Sequence, residues 1–374
     1  MRVCAACIED RALQEVVEDN LTECECDYCG RRKDNPIACD LDVVIDYMRG
    51  FIEEEYCEPV EEVRDLDAWA LFAEIGFDVS NDQLRNDLID AFQDHPWCRN
   101  HYFSLAFGDA HIYGWEDFCN SVKHRRRYTF WSERNEDDGG YGDGVPAPAD
   151  MLSRLDEIVR KYRETAEVGT RFWRVQVLDA DEAPLPHRFT SPPLDNATVP
   201  NRMSPAGISM FYGAVDIDTA YEEVVALDNL DSKAVWGIQF ESVAPFNLLD
   251  LTCLPDPPSY FSERGYESHD LVRFLKFFRH DLAAPIERDG REHIDYVPTQ
   301  VFTEYVRYEM KAFSGEPFHG IVYPSSKTGR PCYVIFADQE QCLDEQGYGA
   351  KPQLLRAVPD SLRKCEGKPV CVTP

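Results

Sequence analysis

Apolar positions along this chain change their period near its middle, and the change divides it. From Ser80 to Phe92, the residues Leu84, Leu88, Ala91 and Phe92 share one helical face behind the capping-box pattern Ser80-Asn81-Asp82-Gln83. This predicts an amphipathic helix opened near Ser80. Helical spacing extends over most of 40–130 and returns in MLSRLDEIVRKYRE, from Met151 onward. Beyond it lie short runs rich in β-branched and aromatic residues, RFWRVQVL, ISMFY, AVWGIQF, FNLLDL, GIVY and CYVIF, which predict strands. Between the two regimes SERNEDDGGYGDGVPAPA, residues 132–149, has acids, glycines and prolines but no apolar period, as a linker does. The expected organisation is α+β. A helical amino-terminal domain occupies 1–131, a linker 132–149, and a mixed α/β domain 150–374, with its core at about 168–340 and a carboxy-terminal extension.

Composition narrows the function. The 374 residues carry 69 acidic and 38 basic side chains, a formal net charge of −31. That charge disfavours nucleic acid as a partner, because polyanions bind by exchanging counterions for Lys and Arg. No apolar run approaches the roughly 20 residues of a membrane span, and MRVCAACIEDRALQEVVEDN lacks the apolar centre of a secretion signal. A cytoplasmic protein without a membrane partner is expected. Against the acidic background, Lys123-His124-Arg125-Arg126-Arg127 stands out. Such a run can hold a phosphate or a polyanion, though pairing with neighbouring carboxylates is its commoner fate.

Six of the fourteen cysteines fall in the first 39 residues. Cys4 and Cys7 form one C-x-x-C pair; Cys26 and Cys29 form another, followed by Gly30. Each such turn aims two thiolates at one ion, and two turns complete a closed tetrahedral site, so the pattern predicts a structural zinc. Cys24 can replace Cys26 in CECDYC, and Cys39 is a further spare.

The strand-rich half carries charged and hydroxyl residues where apolar ones would be ordinary. In TAYEEV, a helix starting near Asp218 or Thr219 places Glu223 in one apolar stripe with Ala220, Val224 and Leu227. Glu222 points elsewhere and can complete a capping box with Thr219. A carboxylate on an apolar face needs a hydrogen bond or a counter-charge, which makes Glu223 a candidate functional group, with an internal salt bridge as the plainer alternative. Strand alternation in FWRVQVL sets Trp173, Val175 and Val177 on one face, and Phe172, Arg174 and Gln176 on the other. The guanidinium fork of Arg174 suits an anion. GIVYPSSKTGRPCYVIF reads as strand, hydroxyl-rich loop and return strand, with Ser325 and Ser326 at the strand end.

Taken in order, Arg174 in FWRVQ, Arg202 in NRMSPAG, Tyr212 in MFYGA, Glu223 in TAYEEV and Ser325 in GIVYPSSKTG resemble the RES domain, a family named for its Arg, Glu and Ser. Arg202 corresponds to the arginine of the family's G-G-R-W-N segment, whose glycines and tryptophan are replaced here. The resemblance covers about 168–340. It implies a fold related to the ADP-ribosyltransferases, NAD as substrate, and no metal in the catalytic site. It further implies an NAD glycohydrolase or phosphorylase that cleaves the nicotinamide–ribose bond, with water or inorganic phosphate as acceptor. Arg174 would serve NAD or the acceptor phosphate, Tyr212 would orient the ribose, and Glu223 would stabilise the cation formed on it. Ser325, with Ser326 in reserve, would hydrogen-bond ribose or phosphate. In YVPTQVFTEYVR, Thr299 can cap a helix and Gln300 can face the pocket.

In family context the protein would be the toxin of a toxin–antitoxin or antiphage defence system, with an antitoxin of Xre type or another kind; a homodimer is compatible with it. Residues 1–130 resemble the helical domain that precedes RES toxins and HEPN ribonucleases, but the helices before the linker carry no copy of the ribonucleases' Arg-x4–6-His pattern. Transfer of ADP-ribose to a macromolecule, and an inactive partner-binding or sensing protein, are the rival expectations.

Overall fold

The computed structural model describes residues 1–59, 65–100, 107–133, 144–225, 233–254, 258–262, 265–285, 290–344 and 351–365. Most of the expected linker, and the end of the carboxy-terminal extension, lie outside them. In chain order the helices are α1 (Arg11–Asp19), α2 (Leu41–Glu55), α3 (Ala68–Glu74), α4 (Asp82–Ala91), α5 (Phe107–Asn120), α6 (Met151–Val159), α7 (Ile217–Val225), α8 (Gly265–Ala283), α9 (Glu292–Asp295) and α10 (Val297–Tyr308). The strands are β1 (Arg2–Cys4), β2 (Ala38–Asp40), β3 (Tyr56–Cys57), β4 (Cys98–Arg99), β5 (Arg163–Ala166), β6 (Arg171–Asp179), β7 (Phe211–Ala214), β8 (Lys233–Ser242), β9 (Phe246–Asp250), β10 (Gly320–Pro324), β11 (Pro331–Ile335), β12 (Cys342–Leu343) and β13 (Leu355–Lys364). The residues group into two compact units. One is built chiefly from Met1–Ile112 and Pro255–Leu275, the other from Tyr113–Glu136, Pro146–Leu254 and Lys276–Pro374.

In the first unit the apolar stripes of short helices meet in one core, with Leu13, Val17, Val44, Met48, Ile52, Leu71, Leu84, Leu88, Phe92 and Trp97 buried together. Part of the acid surplus opens these helices. Asp10 accepts from Leu13 N at 3.1 Å, Asp67 from Ala70 N at 2.8 Å, and Asp40 from Asp42 N at 3.3 Å. Side-chain caps of this kind satisfy amides that have no partner within the helix. The helix expected to open at Ser80 opens one residue later: Asn81 accepts from Leu84 N at 3.0 Å, while the Ser80 hydroxyl donates to Glu9.

In the second unit, among the described residues, nine strands form one mixed sheet in the order β12-β13-β8-β6-β7-β11-β10-β9-β5. The β9–β10 and β12–β13 pairs are parallel and the other neighbours antiparallel. One face packs Phe172, Leu178, Phe211, Phe240, Leu248 and Ile335. The other packs Val175, Ala214, Val235 and Cys332 beneath Ala220 of α7. Of ISMFY only the end enters the sheet, since β7 begins at Phe211. Strands β5 and β13 lie at or next to the sheet edges and expose many of their residues, so neither leaves an apolar alternation in the sequence.

One junction in this sheet is loose. Strand β6 pairs with β8 through nine residues, Arg171–Asp179, but meets β7 only at Trp173↔Ala214. Gly213 permits that contact, because a Cβ there would lie 2.9 Å from the Phe211 ring and 3.2 Å from the Trp173 carbonyl oxygen. Beyond it the strands part.

Candidate functional site

A cleft of about 460 Å³ lies where β6 and β7 part. Trp173, Arg174 and Val175 of β6, and Tyr212, Gly213 and Ala214 of β7, line it from the sheet. Ala220, Glu223 and Val224 line it from α7, while Tyr323, Ser326, Lys327 and Cys332 contribute from the β10–β11 hairpin. A loop containing Asn196, Asn201, Arg202, Ser204 and Ile208 forms a further wall, with Pro285 and Tyr296.

Arg174 bridges the parted strands. Its Nη1 donates to the Tyr212 carbonyl at 3.0 Å, and its guanidinium lies 5.2 Å from the centre of the Phe211 ring. Its Nε is buried without a hydrogen-bond partner. The side chain keeps some surface toward the cleft, yet protein surrounds it closely enough that burial depresses the guanidinium below its ordinary range. An arginine stays protonated throughout the physiological range, so this cation is held ready for an anion.

Glu223 turns into the cleft, as its helical phase predicts, and is half-buried rather than wholly enclosed. Ser325, itself 3% exposed, donates its hydroxyl to Glu223 Oε1 at 2.5 Å. The Ser325 oxygen in turn accepts from the backbone N–H groups of Lys327 and Thr328, each at 3.2 Å. The serine thus touches the carboxylate from behind, while the next residue, Ser326, faces the cleft. The Lys327 ammonium donates to the Glu222 carbonyl at the end of the same helix. The cap of α7 differs from the expected Thr219–Glu222 box: the helix begins at Ile217, and Asp216 accepts from Thr219 N at 2.8 Å. Asp216 precedes the helix and is free to turn back on it, whereas Thr219 is buried within the first turn.

Tyr212 shares a hydrogen bond with Ser204 through its hydroxyl, at 2.8 Å, and burial pushes the phenol above its ordinary range. Arg202 lines the cleft and donates Nη1 to the Leu282 carbonyl at 3.0 Å. Its loop is pinned by α10. Thr299 donates to the Arg202 carbonyl at 2.5 Å, and Gln300 Nε2 donates to the carbonyls of Asn201 at 2.8 Å and Ser204 at 3.3 Å. Gln300 therefore stands behind the wall of the cleft. Thr299 does not cap α10, because its hydroxyl is used on the carbonyls of Tyr296 and Arg202.

The structure thus brings Arg174, Arg202, Tyr212, Glu223 and Ser326 to one cleft, with Ser325 and Gln300 one layer back. Sequence reading did not single out Trp173, Ser204, Tyr323 or Lys327. The signal for Lys327 was available: it is one of only ten lysines in the chain and follows the two serines directly. Among the described residues, no carboxylate pairs with Arg174, Arg202 or Lys327, and Glu223 is the single carboxylate lining the cleft. The earlier basic run behaves differently, since Lys123 pairs with Asp295 at 3.4 Å and Arg125 with Asp117 and Glu133 at 2.6 and 3.3 Å.

The amino-terminal unit brings four thiols together. The sulfurs of Cys4, Cys7, Cys26 and Cys29 all lie within 4.8 Å of one another, and Cys4–Cys7, Cys4–Cys29 and Cys7–Cys26 are each separated by 3.7 Å. A tetrahedral ion with metal–sulfur bonds of about 2.3 Å requires sulfurs about 3.8 Å apart, so the set fits a structural metal. Gly30, at φ 65°, makes the turn after the second pair. Burial opposes ionisation of Cys26, but backbone N–H donors of Cys29, Tyr28 and Cys4 outweigh it and bring the thiol down to about 7. Cys24 is exposed and directs its thiol at the Asp34 carbonyl. Cys39 is buried in the core, so neither spare joins the cluster.

Residues 19–137 match HEPN/RES N-terminal domain 1, and residues 171–354 match the RES domain. No curated protein and no solved structure matches the chain. The RES match spans β6, β7, α7 and the β10–β11 hairpin, the elements that build the cleft. The chain is a protein that joins a HEPN/RES N-terminal domain to a RES domain.

Proposed function

We propose that the cleft binds NAD and cleaves its nicotinamide–ribose bond. The observation that carries the reading is the charge distribution: in a chain of net charge −31, three cations lining one cleft have no carboxylate partner among the described residues, and a single fixed carboxylate faces them. A dinucleotide suits this arrangement, with its diphosphate on the arginines and its reacting ribose at the carboxylate.

Arg174 and Arg202 grip the diphosphate, each using guanidinium donors not engaged by the Tyr212 or Leu282 carbonyl. Tyr212, fixed by Ser204, orients the ribose. As the glycosidic bond breaks, its electron pair goes to the nicotinamide nitrogen and positive charge develops on the ribose. Glu223, held by Ser325, stabilises that charge by a preorganised electrostatic interaction. Water or inorganic phosphate then bonds to the ribose carbon; a proton is released when water adds. In a cell this loss of NAD acts as a toxin or defence response, restrained by an antitoxin.

The test is to incubate the purified protein with NAD, with and without inorganic phosphate, and follow nicotinamide and the ribose product by mass. Release of nicotinamide is expected, and the second product identifies the acceptor. Intact NAD together with mass added to a macromolecule would replace the reading with ADP-ribosyl transfer.

A further inference from the structure

The amino-terminal unit holds a second thiol pair outside the metal cluster. Cys57 and Cys98 stand directly opposite each other in the antiparallel β3–β4 pair, with their sulfurs 3.7 Å apart. The separation equals that within the four-cysteine cluster, but the surroundings differ. Among the described residues no third metal-type donor joins this pair. Two thiols in contact without further ligands are set up for a bond to each other.

The backbone fixes the pair from both sides. Leu66 and Trp97 exchange hydrogen bonds at 2.7 and 2.8 Å, and Asn100 N donates to the Glu55 carbonyl at 2.7 Å. Trp97 is fully buried, with Nε1 on the Phe92 carbonyl at 2.8 Å. Arg99 pairs with Glu74 at 2.7 Å. Directly opposed residues in a sheet have Cβ atoms about 4.5–5.5 Å apart, whereas a disulfide prefers about 3.5–4.5 Å. Bridging therefore needs a small inward movement, which a backbone anchored on both sides resists; bonds made under such strain are the easily reduced ones. Access is graded too: Cys57 is half-buried and Cys98 is 2% exposed.

We propose that Cys57 and Cys98 form a reversible intrachain disulfide in the amino-terminal unit, made by exchange with a small oxidised disulfide such as oxidised glutathione. The accessible Cys57 thiolate attacks one sulfur of the oxidant, releasing one glutathione thiolate and leaving a mixed disulfide. The Cys98 thiolate then attacks Cys57 Sγ and displaces the second glutathione. Two protein thiols are oxidised, one glutathione disulfide is reduced to two thiols, and two protons pass from the cysteines to the glutathione thiolates. Burial raises the Cys98 thiol to about 11, which disfavours the thiolate that the second step requires. The bond closes a loop that contains α3 and α4, limits the unfolded chain, and so strengthens this unit under oxidising conditions.

The experiment uses the full chain, metal-loaded, equilibrated with oxidised glutathione, then alkylated and mapped by peptide mass. A Cys57–Cys98 peptide that disappears with dithiothreitol is expected, together with a rise of a few degrees in the first thermal transition that Cys57→Ser abolishes. Two freely alkylated cysteines, or glutathione retained on Cys57 alone, would overturn the proposal. So would a Cys57→Ser protein whose transition responds to the oxidant as the parent's does, since the stabilisation would then come from other thiols. Cys98→Ala, which keeps a small buried side chain, should retain glutathione on Cys57; a bridge from Cys57 to any other cysteine in the parent would equally refute the pairing.

Discussion

Ser325 donates to Glu223 at 2.5 Å from a position 102 residues later in the chain, and so sets the direction of the single carboxylate that lines the cleft among the described residues. A charge-assisted hydrogen bond of this kind contributes about 1.5–3 kcal/mol. Ser325→Ala should therefore lower kcat for NAD cleavage by about 10- to 100-fold with little change in KM. A change in KM alone would assign the serine to substrate binding instead.

Glu223→Ala should lower nicotinamide release by at least about 100-fold while leaving the fold intact. Glu222→Ala should stay within about 0.5 kcal/mol in stability and keep its activity, because only the Glu222 backbone carbonyl is engaged by Lys327. Steady-state kinetics and thermal unfolding on both variants make the comparison, and equal losses would remove Glu223 from its role.

Gln300→Leu should act on substrate affinity at a distance. It strips the donor from the carbonyls of Asn201 and Ser204, at a cost of about 1–3 kcal/mol where these stay buried and unpaired. The loop that carries Arg202 then loosens, and KM for NAD should rise several-fold, as it should for Arg202→Ala. An unchanged KM would show that the loop holds its position without Gln300.

Metal analysis should find one zinc per chain. Chelation, or Cys26→Ser, should lower the unfolding temperature of the amino-terminal unit, since binding free energy at such a site is also folding free energy. An unfolding profile indifferent to chelator would exclude a structural metal there.

His319 supplies a dependence on pH. Burial lowers its imidazole below the ordinary 6.5, and its Nδ1 has no partner. The unfolded chain therefore takes up a proton first. The stability that comes from keeping this imidazole neutral is complete above pH 6.5 and declines as pH falls from there through the lower folded value. His319→Gln should flatten that part of the stability curve, read by urea unfolding at several pH values.

The period of the apolar residues was sufficient to locate α4 and the strands β6, β8, β9, β10 and β11, because each element is long enough, and buried enough, to leave its own repeat. Helix phase alone separated Glu223 from Glu222, and C-x-x-C spacing alone found four thiols, since both are relationships within one turn. Helix starts were less legible: Asn81 and Asp216 cap where Ser80 and Thr219 were expected, because several neighbouring side chains can each satisfy a first-turn amide. Strand β5 at one sheet edge, and β13 next to the other, left no alternation for the sequence to display.

What only the tertiary structure decided is which side chains share the cleft. Arg174 reaches Tyr212 because β6 and β7 part after one pairing, and Ser325 reaches Glu223 because the β10–β11 hairpin closes beside α7. Cys57 meets Cys98 only through strand register, and Gln300 turns from the cleft to its wall because the loop behind Arg202 needs donors for its carbonyls. By itself the sequence determined the elements, the residue types available for chemistry and the surplus of negative charge. Contacts between residues a hundred positions apart depend on loop closure and packing, which no local pattern encodes.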